Sequence, residues 1–303
     1  MNAFIGGFVW VLLFLVSVGD SPETGLIQRI FILGVLVIVP LGLSLVPAGL
    51  PLDLDDWFYR SALLVQPFAA ACVVVSFLFE PGRVSGALAL PWWLLTILIA
   101  IFGFSRLRHP ALRTTAEISV SAGLVYLPIA GFWLVVSRLG IQLLGFGDTI
   151  ILLTSVHFTF AAYSAPILAG LTGRRLIQLG KSDTVFQFVP FGIILGMPMV
   201  AAGITFSPLA ALIGAVVLSL SLVLLAIFVI GWVLPRVSSV AARLLLSLSS
   251  FSGAAAMVLA CVYAYSIVTR TLLIDIPQMA MTHGLINAFG FVLCGMLAWT
   301  ISD

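Results

Sequence analysis

Residues 186–233 read FQFVPFGIILGMPMVAAGITFSPLAALIGAVVLSLSLVLLAIFVIGWV and contain no Asp, Glu, Lys or Arg. A helix needs about 20 apolar residues to cross the ~30 Å hydrocarbon core of a bilayer with its backbone groups paired internally. The stretch supplies that length twice, the two halves separated only by Ser207 and Pro208. Apolar and polar residues do not alternate as they would in the strands of a membrane barrel. These residues therefore predict two membrane-spanning helices.

The same signal recurs on both sides. Hydropathy and turn punctuation place spans near 2–18, 27–46, 62–79, 86–105, 115–136, 149–171, 186–205, 208–233, 244–268 and 278–301. The fold class is all-α, a polytopic transmembrane bundle of about ten helices. The 303 residues are 62% hydrophobic and 8% charged, with a mean hydropathy of +1.27. That is too little charge to cover a soluble globule of this size, and the bilayer is the solvent the chain suits. The connecting loops are too short for a soluble domain, so residues 1–303 read as a single integral membrane domain. The first span lacks the charged n-region and cleavage site of a secretory signal and is expected to remain as a helix.

A net charge of +2 with no basic run excludes nucleic acid as a natural partner. Cys72, Cys261 and Cys294 lie inside apolar spans without CxxC spacing, as small buried hydrophobes. No cofactor is implied. Counted over ten spans, Arg60, Arg106, Arg108, Arg113, Arg174, Arg175, Lys181, Arg236 and Arg243 fall on the side of the termini, against Arg29, Arg83, Arg138 and Arg270 opposite. The excess of basic residues places both termini in the cytoplasm, with the chain in the cell membrane. The alternation would fail if residues 186–233 formed one broken element.

Polar groups at mid-span are costly, at about 3 kcal/mol for an ionised side chain, and so they carry the functional expectation. His157 sits in LLTSVHFTFAAYSAP, with Thr154 and Ala161 one turn away on either side. His283 sits in MAMTHGLINAFGF, with Asn287 four residues on. Two histidines without a carboxylate partner make a poor metal signature, and no metal is expected. Glu117 opens the fifth span, with Ser121 one turn on and Tyr126 deeper. Facing headgroups, it would favour the helix dipole; facing a cavity, it would be a desolvated proton donor. Asp148 most simply caps the sixth span. Gln66 needs a partner in lipid and would either line a cavity or join two helices. Asp53, Asp55 and Asp56 in LPLDLDDWF resemble half of a magnesium–diphosphate site, although a solvated loop is the simpler reading. Trp57, Trp92 and Trp93 are expected at the membrane interfaces. Pro40, Pro67, Pro91, Pro128, Pro166, Pro190 and Pro198 interrupt spans, and each frees a backbone carbonyl.

Three stretches, LGVLVIVPLGL in the second span, LTSVHFTFAAYSAPILAGL in the sixth and MTHGLINAFGFVLCGMLAW in the last, resemble the bacterial YndJ-like membrane family. The resemblance covers nearly the whole chain and implies a histidine-rich HFHYAGF-like string at the central motif. Here the string is HFTFAAY, so His157 matches and Thr159 stands where a second histidine is expected.

Two functions follow as expectations. The first is an intramembrane enzyme on a lipid-like or isoprenoid substrate, similar in design to membrane terpene cyclases. Glu117, His157 and His283 would be catalytic, and Gln66, Tyr126, Asp148, Thr154 and Asn287 would contact an apolar small molecule. The second is a transporter of a small solute, in which His157, His283 and Glu117 would be substrate or proton-coupling sites at a gate.

Overall fold

The computed structural model describes residues 3–15, 22–47, 57–181 and 184–302. Ten helices are present among them and no strand: α1 (Ala3–Leu15), α2 (Gly25–Leu45), α3 (Trp57–Ser76), α4 (Arg83–Arg106), α5 (Thr115–Leu139), α6 (Asp148–Gln178), α7 (Thr184–Phe206), α8 (Pro208–Arg236), α9 (Val240–Thr269) and α10 (Ile276–Thr300). Nine are long and apolar enough to cross a membrane. The exception is α1, whose 13 described residues rise only about 20 Å, short of the hydrocarbon core. The aspartates at 53, 55 and 56 lie outside the described residues.

Helix ends follow local chemistry. Ser207 turns out of helix at φ −159° and its hydroxyl accepts from the Ala210 N–H at 3.4 Å, with Pro208 in the first turn of α8. Residues 186–233 are thus two helices, α7 and α8, and not one broken element. Ser239 caps α9 in the same way, and Asp275 with Gln278 forms a capping box at the start of α10. Gly147, not Asp148, is the N-cap of α6; Asp148 is exposed in the first turn, where its charge favours the helix dipole.

Two compact units divide the chain. Unit 1 comprises Met1–Pro110 with Ser121–Ser164, and unit 2 comprises Ala111–Val120 with Ala165–Asp303. Their boundaries fall inside α5 and α6.

In unit 1 the core centres on α2, which is buried along most of its length. Tyr59 and Phe102 bring α3 and α4 together, ring centroids 5.1 Å apart. Trp92, expected at an interface, is fully buried in this hairpin, whereas Trp57 is exposed. Arg138, counted in the sequence as a loop charge, is also buried: it donates to the carbonyls of Ser76 (3.1 Å) and Phe79 (2.5 Å) beyond the last turn of α3. A cation at a helix C-terminus satisfies orphan carbonyls and opposes their partial charge.

In unit 2, α7 and α8 form an antiparallel hairpin that glycines hold tight. A side chain at Gly203 would collide with the Ala211 backbone and one at Gly214 with Val200 and Met199, while one at Gly196 would press tightly on Leu218. Small residues at such crossings let helix backbones approach in lipid, where dispersion and not the hydrophobic effect drives association.

Candidate functional site

Among the described residues, four membrane helices contain π-helical turns: Gly34–Ile38 in α2, Phe158–Ser164 in α6, Val229–Val233 in α8, and both Ala280–Gly284 and Ile286–Leu293 in α10. Such turns are rare and concentrate at functional sites. Those in α2, α6 and α10 coincide with the three stretches singled out in the sequence.

The α2 turn has a definable consequence. The Val39 N–H reaches back five residues to Gly34, so the Val35 carbonyl loses the donor that an α-helix would give it. Pro40 follows and has no N–H to offer. Gln66 of α3 fills the gap, its Nε2 donating to the Val35 carbonyl at 3.1 Å. Gln66 is 1% exposed, and its Oε1 has no partner among the described residues. Of the two roles foreseen for Gln66, helix joining is the one this contact performs.

The π-turn of α6 packs against the same part of α2. Gly34 lies under Thr159 and Phe160, and Gly42 lies under the Tyr163 ring, with no room for a side chain at either glycine. Tyr163 donates its hydroxyl to the Val39 carbonyl at 2.8 Å. The Thr159 hydroxyl bonds the Ser155 carbonyl at 2.9 Å, and Ser155 bonds the Ala130 carbonyl of α5 at 2.7 Å. Thr159 is therefore a packing residue seated on glycine. His157 ends the α-helical part of α6 and is partly exposed. Its neighbour Phe158 meets the Tyr126 ring edge-on at 6.5 Å. Thr154 returns its hydroxyl to the Ile150 carbonyl at 2.8 Å. His157, Thr154, Tyr126, Gln66 and Asp148 thus all belong to unit 1.

Glu117, His283 and Asn287 belong to unit 2. Glu117 is 3% exposed and makes a two-pronged ion pair with Arg174, Oε1 to Nε at 2.6 Å and Oε2 to Nη2 at 2.8 Å. Both carboxylate oxygens are occupied by guanidinium N–H groups, in the fork geometry that makes such pairs strong. Close approach makes the pair possible: Gly170 and Gly173 of α6 lie on Ala116 and Val120 of α5, and Ser119 donates to the Pro166 carbonyl at 2.7 Å. On α10, His283 Nδ1 meets the Ala256 carbonyl at 2.8 Å, which fixes the proton on Nδ1 and leaves Nε2 as the acceptor. Asn287 is 6% exposed, and its Oδ1 has no partner among the described residues.

Arg174 and Tyr163 are not singled out in the sequence. Arg174 reads as a loop charge beside Arg175, and only the fold brings it to Glu117. Tyr163 lay inside the central motif, and its signal was a phenol in an otherwise small and apolar turn.

Comparison with known proteins gives a family and no mechanism. Residues 29–291 match the family described as YndJ-like protein. The "Uncharacterized membrane protein YndJ" of Bacillus subtilis (strain 168) is 28% identical over 284 residues, covering 94% of this chain and 50% of that protein. The chain thus spans about half the length of the curated relative it matches. No solved structure matches it.

Proposed function

This chain belongs to the YndJ-like family of membrane proteins, and we propose that it carries a small solute across the bilayer, driven by a cation gradient. The observation that supports this reading is the concentration of π-turns in α2, α6 and α10, the helices that also carry or meet His157, Gln66, His283 and Asn287. A π-turn differs from an α-turn by one hydrogen-bond register. Moving it along a helix rotates the flanking side chains by about 100°, a discrete two-state change of the kind that gating requires. Alternating access needs such elements beside polar groups at membrane depth.

Isoprenoid cyclisation needs a carboxyl presented to the substrate, and the oxygens of Glu117 are turned to Arg174 instead. That contact is the reason transport is preferred here. The proposal keeps both termini in the cytoplasm only if α1 crosses as a tenth span; nine crossings would put the termini on opposite sides, and a reporter fused after Asp303 together with one fused ahead of Met1 would read which holds.

The test is mass spectrometry of proteoliposomes incubated with a cytosolic extract under an imposed ion gradient, comparing the intact chain with a His157→Ala variant of equal abundance. A compound that accumulates unchanged inside vesicles bearing the intact chain supports transport. A new product isomeric with a consumed lipid-like compound overturns it in favour of the enzyme, and equal contents in both preparations count against it as well.

A further inference from the structure

We propose that the end of unit 2 where α6, α8 and α10 finish and α9 begins holds one anionic phospholipid, its phosphate on Arg175 and Arg236 and its ester region at the cleft beneath them. The site stands independently of transport.

Arg174 and Arg175 are neighbours in sequence with opposite fates. Arg174 turns inward and is spent on Glu117. Arg175 is partly exposed and reaches α8, its Nη2 donating to the Arg236 carbonyl at 3.4 Å and its Nη1 to Gln178 Oε1 at 3.3 Å. Arg236, the exposed last residue of α8, donates from Nη1 to the Trp232 carbonyl at 2.9 Å. The tip of one arginine thus lies on the backbone of the other, and among the described residues neither is paired with a carboxylate. Like charges gathered without a counter-ion repel, and an anion between them removes that cost. Each guanidinium keeps further N–H groups, and their fork geometry matches the oxygens of a phosphate.

Beneath the pair lies a partly open cavity of about 20 Å³ to which four helices contribute, with Thr172 of α6, Val229 of α8, Leu246 and Ser250 of α9, and Trp299 of α10 on its wall. Thr172 comes three residues before Arg175 and Val229 seven before Arg236, spacings that return to the same helix face, so the cavity sits about 5–10 Å deeper along the helices than the arginines. Leu246 stands in the same relation to the exposed Arg243, three residues nearer the start of α9. Ser250 is 7% exposed, and its hydroxyl makes no hydrogen bond among the described residues. Trp299, one residue from the end of α10, brings an indole of the kind that settles at headgroup depth. The remaining wall is apolar, with Leu168, Leu222, Leu225 and Phe291.

From the helix ends inward the order is therefore guanidinium, then hydroxyl and indole, then hydrocarbon. A glycerophospholipid presents phosphate, ester carbonyl and acyl chain in that same order. The cavity has room for about one water, which is space for an ester carbonyl to meet Ser250, while the acyl chains stay in the bilayer. A soluble anion would use the arginines and leave the cleft without a role. Glu117, the described carboxylate at this end of unit 2, is neutralised by Arg174, so Arg175, Lys181, Arg236 and Arg243 leave the end positive. Basic pockets between membrane helices are where anionic headgroups bind.

The experiment is thermal unfolding of the purified full chain in detergent with phosphatidylglycerol, phosphatidylcholine, glycerophosphate or inorganic phosphate, each over the same concentration range. Phosphatidylglycerol is expected to raise Tm saturably and the other three are not, since a ligand that binds only the folded state stabilises it. Arg175→Gln and Arg236→Gln should each raise the half-saturating concentration about fivefold. Arg270→Gln, at the opposite end of α9, should leave it unchanged. Native mass spectrometry of the unmodified chain, released from micelles holding equal amounts of the two lipids, should show one phosphatidylglycerol retained in preference to phosphatidylcholine, a readout that needs no variant. No preference between the lipids, an equal loss in Arg270→Gln, or a shift that survives the two arginine substitutions combined would each overturn the site. A shift produced as well by glycerophosphate or inorganic phosphate would overturn the lipid in favour of a soluble anion. No gradient or solute enters the measurement, so its outcome and that of the transport assay are separate.

Discussion

The hairpin of α7 and α8 and the contact between α2 and α6 both rest on glycine, yet the two use it differently. In the hairpin, Gly196, Gly203 and Gly214 bring two helices close along a seam whose partners are backbone and aliphatic atoms. In α2, Gly34 and Gly42 make room for Thr159 and Tyr163, and the neighbouring carbonyls of Val35 and Val39 accept from Gln66 and Tyr163. The first is packing alone, which a sequence can change only by overfilling it. The second couples packing to an irregular backbone whose hydrogen bonds are completed by side chains of other helices. Regular helix in lipid is self-sufficient in hydrogen bonds, whereas a π-turn is not, and so its partners are fixed by the fold.

The largest effect that would break this contrast is expected at Gly203. Gly203→Leu drives a side chain into the Ala211 backbone, and overpacking of this kind exceeds the usual range of about 1–3 kcal/mol because a backbone cannot yield as a side chain does. The expected outcome is loss of the monodisperse detergent-purified protein on size-exclusion chromatography; normal elution and Tm would show that the seam has slack.

Gln66→Leu comes next. It leaves the Val35 carbonyl orphaned in an apolar interior, at a cost of about 1–3 kcal/mol, read as a lower midpoint in reversible denaturation from mixed micelles. An unchanged midpoint would mean that α2 recovers α-helical bonding without Gln66. Tyr163→Phe removes one hydrogen bond and keeps the ring, and should cost about 0.6 kcal/mol, the average for interhelical bonds in membranes.

The smallest effect is expected back in the hairpin. The Ser221 hydroxyl merely returns to the Val217 carbonyl of its own helix, so Ser221→Ala should change stability by no more than about 0.5 kcal/mol. A larger loss there would erase the distinction between the two regions. Hydrogen exchange sharpens it from another side: amides of the α2 and α6 π-turns should exchange faster than those in the middle of α7 and α8, because local opening needs fewer intrahelical bonds to break.

Much of the architecture was legible without coordinates, because a bilayer leaves the backbone almost no choice. Twenty apolar residues in a row must become a helix, and Ser207–Pro208 could only be a break; nine of the ten expected spans are long, apolar helices in the structure. Local chemistry was nearly as readable: Glu117 does sit at a helix start, and His283 and Asn287 do share one helix. What the sequence could not supply was who meets whom. Arg174 lies 57 positions from Glu117, and no periodicity links them. Tyr163 and Val39 are 124 apart. The π-turns were invisible for a related reason: α- and π-turns tolerate the same apolar residues, and the extra residue in the turn is held by contacts from neighbouring helices. Hydropathy, set by transfer of each side chain from water, determined that the chain crosses the membrane and roughly where. Which polar groups are paired with one another, and which are left facing a cavity, is a matter of three-dimensional neighbours, and the tertiary structure alone decided it.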